Sequence, residues 1–145
     1  MIYLSGAMAA VSTDYAKEWR ASFIKTYSFF VDNPSIFDPT KYFNYDMDLS
    51  EFTDKELMDY EFRMLNKSSI LVLNLEYINK SVGTIQELAV AHNNGIPVVA
   101  FHRHKSVTEL KAKLHPWIIE QCDKIFTGNL AISNTADYVA TFYGD

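Results

Sequence analysis

Tyr15, Trp19, Phe23 and Tyr27 recur at every fourth position, with mostly polar or small residues between them. That spacing puts four rings on one face of a helix and predicts a helix over residues 14–31 with a buried stripe. Elsewhere the apolar residues run together. Residues 2–5, 69–75 and 96–101 form short apolar segments, as expected for strands covered on both faces. Residues 35–37, stopped by Asp38-Pro39, and residues 124–126 supply two more short strands. Thr53-x-x-Glu56 and Ser106-x-x-Glu109 are capping boxes, predicting helices that run to about residue 67 and about residue 121. Residues 84–94 read as a helix closed by Gly95, and residues 133–143 as a last helix. Residues 40–52 are rich in aromatic and acidic side chains and show no clear period, so they read as a loop and a candidate lid. Five strands alternating with five helices predict an α/β fold: a single-domain Rossmann or flavodoxin-like sandwich, its five-stranded parallel sheet covered by helices on both faces. Ligands of such folds bind outside the carboxyl ends of the strands, where the strand order reverses.

Composition narrows the picture. A length of 145 residues fits one domain, spanning 1–145, with a real core. Hydrophobic residues make up 48% and charged residues 21%, an ordinary soluble mix. The net charge of −5 argues against a nucleic-acid polymer as partner, because phosphate backbones demand a basic face. A small anionic nucleotide needs only a local positive site and stays allowed. Cys122 is the one cysteine, so no internal disulfide forms, which fits a cytoplasmic protein. Met1 leads straight into the first strand with no signal peptide, and no apolar run reaches the length of a membrane span. The chain has no internal repeat or low-complexity tract.

The stretch from Asn74 to Ala91 carries the chemistry. Gly83 falls at the expected junction of strand and helix, where a glycine lets backbone N–H groups approach a ligand. The helix start points unpaired N–H groups and the positive end of its dipole into the same space. Glu87 follows one turn later. By composition alone it is a solvated helix glutamate; beside this turn it is also a candidate nucleophile, and its neighbours Leu88 and Ala91 put it at the border of the core-facing side. The helix predicted over 53–67 offers two acids, Asp59 and Glu61, which project about 200° apart and cannot face one site together. Glu61 shares its stripe with Leu57, Met64, Leu65 and Ser68, the buried side. Asp59 shares one with Lys55, Glu56 and Arg63, the wet side, where it reads as a solvated partner of Arg63. Ser81 is either a helix cap or a ligand contact. The cluster His102-Arg103-His104-Lys105 is either a solvated loop or a source of positive charge, and its spacing makes no convincing metal site. Tyr42, Phe43 and Tyr45 either stack on a planar ligand or serve core and subunit contacts.

Three elements together carry a resemblance. Gly83-Thr84-x-x-Glu87-Leu88, then Gly95-Ile96-Pro97-Val98-Val99-Ala100, with the opening Ile2-Tyr3-Leu4-Ser5-Gly6, resemble the nucleoside 2-deoxyribosyltransferase family, which includes the 2′-deoxynucleoside 5′-monophosphate N-glycosidases. The resemblance covers roughly residues 1–101. The Gly-Thr-x-x-Glu element alone is only moderately specific: cytokinin-activating phosphoribohydrolases carry one after Pro-Gly-Gly, which is absent here. The resemblance implies cleavage of an N-glycosidic bond through a covalent deoxyribosyl ester on Glu87, ending in hydrolysis or base exchange. It implies that Tyr3 hydrogen-bonds the nucleophile and that Glu61 holds the base, where the family usually has aspartate, with Asp59 the alternative acid. It implies substrate contacts at Ser5, Gly6, Ser81, Gly83 and Thr84. At Ser81 the nucleoside transferases carry aspartate, which accepts from the 5′-hydroxyl, and the monophosphate hydrolases carry serine. A carboxylate there would repel a phosphate, whereas a hydroxyl and a helix start donate to it. The first loop, Gly6-Ala7-Met8-Ala9-Ala10, departs from those hydrolases in having no arginine. The family needs no metal or cofactor. Its partners are a deoxynucleoside or deoxynucleotide and a nucleobase, and it forms oligomers, so at least a homodimer is expected. An alternative of another class is a non-catalytic nucleotide-binding protein of the same fold.

Overall fold

The computed structural model describes residues 1–42 and 52–144. The lid expected over 40–52, with its Tyr42, Phe43 and Tyr45, falls largely outside them. The described chain forms one sheet of five parallel strands: β1 Ile2–Ser5, β2 Ile36–Phe37, β3 Ile70–Asn74, β4 Val98–His102 and β5 Lys124–Thr127. Their spatial order is β2-β1-β3-β4-β5, the doubly wound flavodoxin-like order, which reverses between β1 and β3. β1, β3 and β4 are buried along their whole length, which is why they read as unbroken apolar runs.

Alternation along β1 splits the core into two layers. Ile2 and Leu4 face α1 Thr13–Tyr27 and α7 Ala131–Tyr143, packing with Trp19, Phe23 and Val139. Tyr3 faces the other layer, built from α3 Asp54–Asn66, α4 Val82–Asn93, α5 Val107–Lys113 and α6 Pro116–Glu120. Leu65, Leu88, Leu110 and Ile118 fill that layer. Among the described residues no helix is long and apolar enough to cross a membrane.

Most predicted elements form, with shifted ends. Both capping boxes are present, at Thr53 with Glu56 and at Ser106 with Glu109. The helix read over 14–31 stops at Tyr27. The helix read over 106–121 is two helices, because proline disfavours a helical residue before it. Leu114 is extended, and Pro116 opens α6 at its first helical position behind the cap His115. Within the expected loop, Pro39–Tyr42 form a short helix, α2, led by Asp38, whose Oδ1 accepts from the Thr40 N–H and hydroxyl. A 3₁₀ turn over Ile78–Lys80 links β3 to α4. α4 itself starts two residues earlier than expected. It ends in a Schellman motif: Gly95 at φ +70° donates to His92 O, and Ile96 N donates to Ala91 O at 2.9 Å.

Candidate active site

The carboxyl ends of β1 and β3 flank the point of reversal, and the side chains of interest gather there. Thr84, Glu87, Leu88 and Ala91 are the buried positions of α4, one stripe at i, i+3, i+4 and i+7. That stripe turns Glu87 onto the end of β1, where Ser5 Oγ donates to its Oε1 at 3.3 Å. Glu87 is only 8% exposed. Burial, and then the negative charge of Glu61, push its pKa up to about 8, while Tyr3, Arg20 and Ser5 pull the other way. Tyr3 Oη and Glu87 Oε2 are both buried without a well-aligned hydrogen-bond partner among the described residues. They still interact: the carboxylate, after burial itself, raises the Tyr3 pKa, and Tyr3 steadies the charge on Glu87.

α3 supplies the second acid. Leu65 on its inner side and Ser68 just past its end are buried and Glu61 is half-buried, with its pKa raised by burial and partly restrained by Arg20. Asp59 lies on the outer side, as the stripe argument requires. Its ion-pair partner is Lys55 rather than Arg63, one turn back along the same helix. The structure thus brings together Tyr3, Ser5, Glu61 and Glu87, and leaves Asp59 away from them.

Ser81 caps α4. Its Oγ accepts from Thr84 N at 3.4 Å and lies 2.6 Å from Thr84 Oγ1. Gly83 sits inside the first turn of α4, one position past its start, rather than at a junction before it. Its φ is not left-handed, and a Cβ there would meet nothing within 4 Å among the described residues. Neither strain nor packing there calls for glycine. Gly6 is the opposite case. An added Cβ would lie 2.8 Å from Trp19 Cζ2 and 3.1 Å from Asn74 Cβ, so close packing requires glycine whatever a ligand asks of it.

Two features escaped the sequence reading. Arg20 is fully buried at the ends of β1 and β2, donating to Gly6 O at 3.1 Å and Ala16 O at 2.8 Å and lying 3.7 Å from Asp38. It is the cation nearest in effect to Glu61 and Glu87, for it lowers both of their pKa values. The signal was available: Arg20 lies between the buried Ala16 and Phe23, where a charge is unusual. The second feature is a network on Glu76, buried just past β3. Arg103 donates to it from Nε at 3.0 Å, Nη2 at 2.9 Å and its backbone N at 2.9 Å, and the Tyr15 hydroxyl from 2.6 Å. Burial alone would raise the Glu76 pKa; these donors overcome it and hold it at about 2. Arg103 is therefore committed to Glu76 and Glu18, not free for a ligand. Among the described residues no group of three or more His, Cys, Asp or Glu is arranged to hold a metal ion.

No family model matches the chain, and no curated protein matches it. Solved structures do. A conserved protein from Enterococcus faecalis V583 superposes with a TM-score of 0.70 at 14% identity, over 94% of this chain and 96% of that one. A 2-deoxyribosyltransferase from the psychrotolerant bacterium Bacillus psychrosaccharolyticus superposes with a TM-score of 0.66 at 15% identity, over 92% of this chain and 90% of that one. Identities this low establish a shared fold and nothing finer.

Proposed function

We propose that the chain cleaves the N-glycosidic bond of a 2′-deoxynucleoside or its 5′-monophosphate, with Glu87 as the nucleophile. The observation that carries this reading is the coupled pair Glu87 and Glu61, with Ser5 and Tyr3 on the first carboxylate, at the switch point of the sheet. A 2-deoxyribosyltransferase among its structural neighbours supports it.

The pair carries the protonation the reaction needs. Burial raises the pKa of both carboxyls, and the charge of Glu61 raises that of Glu87 further to about 8, which favours a pair that shares one proton. Cleavage uses that proton and the charge left beside it. A Glu87 oxygen attacks C1′, the bond from C1′ to the base nitrogen breaks, and its electron pair leaves on the base. The shared proton passes from Glu87 to Glu61, which leaves Glu87 ionised for the attack, and goes from Glu61 to the departing nitrogen. The missing 2′-hydroxyl makes the oxocarbenium-like transition state easier to reach. Ser5 and Tyr3 hold Glu87 in place and release it as negative charge moves to the base. Water or a second base then attacks C1′ and gives up a proton to Glu61, the ester bond breaks, and the Glu87 carboxylate is restored. Exclusion of water decides between hydrolysis and exchange. A serine rather than a carboxylate at the α4 cap supports a 5′-phosphate at that end of the sugar. Gly83, with open space about its Cα, permits close approach of the same end.

The experiment is incubation with each deoxynucleoside and each deoxynucleoside monophosphate, with and without a second base, and chromatography of the free base. Wild type releases base, and mass spectrometry of quenched enzyme finds deoxyribose on the Glu87 peptide. Glu87→Gln folds but loses about three or more orders of magnitude in rate. A variant within about tenfold of wild type sinks the mechanism. Binding without any base release moves the chain to the nucleotide-binding alternative.

A further inference from the structure

A cleft of about 570 Å³ lies over the ends of β3 and β4. It is lined from the 3₁₀ turn, from the segment after β4 and from α5; neither Glu87 nor Glu61, Tyr3, Ser5 or Ser81 lines it. Its size is that of a small-molecule site. Its floor is apolar, made by Leu75, Ile78, Leu110 and Leu114. Lys80, Lys105 and Lys113 reach it from three different segments. Glu76 also lines it, but that carboxylate is already taken by Arg103 and Tyr15, so its charge is balanced inside the fold. The lining as a whole is cationic.

His102 completes the lining and is only 7% exposed. Its Nδ1 accepts the backbone N–H groups of His104 at 3.0 Å and Lys105 at 3.1 Å. A ring nitrogen that accepts carries no proton, so the proton sits on Nε2. Burial, with the neighbouring cations, lowers the His102 pKa and keeps the ring neutral. The backbone thus fixes His102 as a donor with one N–H to give.

We propose that this cleft binds a small phosphate ester with an apolar planar body. The body lies on the leucine and isoleucine floor. The dianion takes the three ammonium groups and the His102 Nε2–H, a donor set that a single carboxylate charge would not use in full. The site is independent of the Glu87 chemistry, although Lys80 immediately precedes the α4 cap.

The test titrates 1-naphthyl phosphate into isotope-labelled protein, with inorganic phosphate and 1-naphthol as controls. The ester perturbs the His102 ring nitrogens and the amides of residues 78–80 and 110–114 saturably, and binds at least about tenfold more tightly than either control. The double variant Lys80→Ala/Lys113→Ala weakens it by at least about tenfold, while Glu87→Gln leaves it unchanged. Equal affinity for inorganic phosphate overturns the proposal, because the floor then contributes nothing. So does wild-type affinity in the lysine variant. Loss of binding in Glu87→Gln puts the ester in the other site and overturns it too, with the glycosidase reading left standing. Failure of base release in the earlier assay does not touch this titration.

Discussion

Glu87 holds its proton well above the pH at which an ordinary glutamate gives it up. Two measurements follow. The specificity constant for base release should trace a bell. It falls above about pH 8, where the Glu87 and Glu61 pair has no proton left for the leaving base, and falls on the acid side, where both are protonated and neither attacks. A profile that keeps rising through pH 9 would remove the shared proton from the mechanism. Stability gives a reading that needs no substrate. Between about pH 4.5 and 8 the folded chain binds a proton at Glu87 that the unfolded chain has lost, so unfolding free energy falls as pH rises, by up to about 1.4 kcal/mol per unit for one group. Glu87→Gln should flatten that slope in denaturant titrations, and an unchanged slope would place the shift elsewhere. The inward position of Glu87 was legible because the apolar Leu88 and Ala91 beside it are local. Arg20 was not: its burial depends on Gly6, Ala16 and Asp38 converging in space.

Elements were legible where the pattern is long or the cap is chemical. The α1 stripe and the two capping boxes held, because each is fixed within one or two turns of chain. Two boundaries moved for reasons equally local but passed over. Pro116 divides the helix read over 106–121, and Ser81, accepting from Thr84, starts α4 ahead of Gly83. The Glu76 network could not be read from one segment, since it joins the end of β3, the end of β4 and α1 through Arg103 and Tyr15. Its loss should cost more than a surface pair. Arg103→Met leaves the Glu76 carboxylate buried without its guanidinium, and should destabilise by about 3 kcal/mol at pH 7. Glu76 is held ionised down to about pH 2, so its contribution is full above about pH 4.5 and fades as pH falls toward 2. Urea midpoints at pH 7 and pH 3 should therefore differ more in wild type than in Arg103→Met.

At the scale of the molecule, the alternation of short buried runs with helices was enough for the fold, and the order β2-β1-β3-β4-β5 put the switch point beside the expected nucleophile. The surface asks for company. Phe29 is 80% exposed and Trp117 74%, with Leu130 and Phe142 close behind. Light scattering at micromolar concentration should give a mass near twice 16.6 kDa; an active monomer would refute this. The open space at Gly83 has a use of its own. The chain's one thiol, Cys122, is pushed up to about 12 by burial and by Asp123, and so is nearly inert at neutral pH. A cysteine installed by Gly83→Cys would stand exposed in the first turn of α4, where the helix start favours the thiolate. It would be the one fast-reacting sulfur on the molecule. A disulfide-forming reagent could then cork the mouth of the Glu87 site and a reductant uncork it, a reversible block on the proposed base release that alters no catalytic side chain.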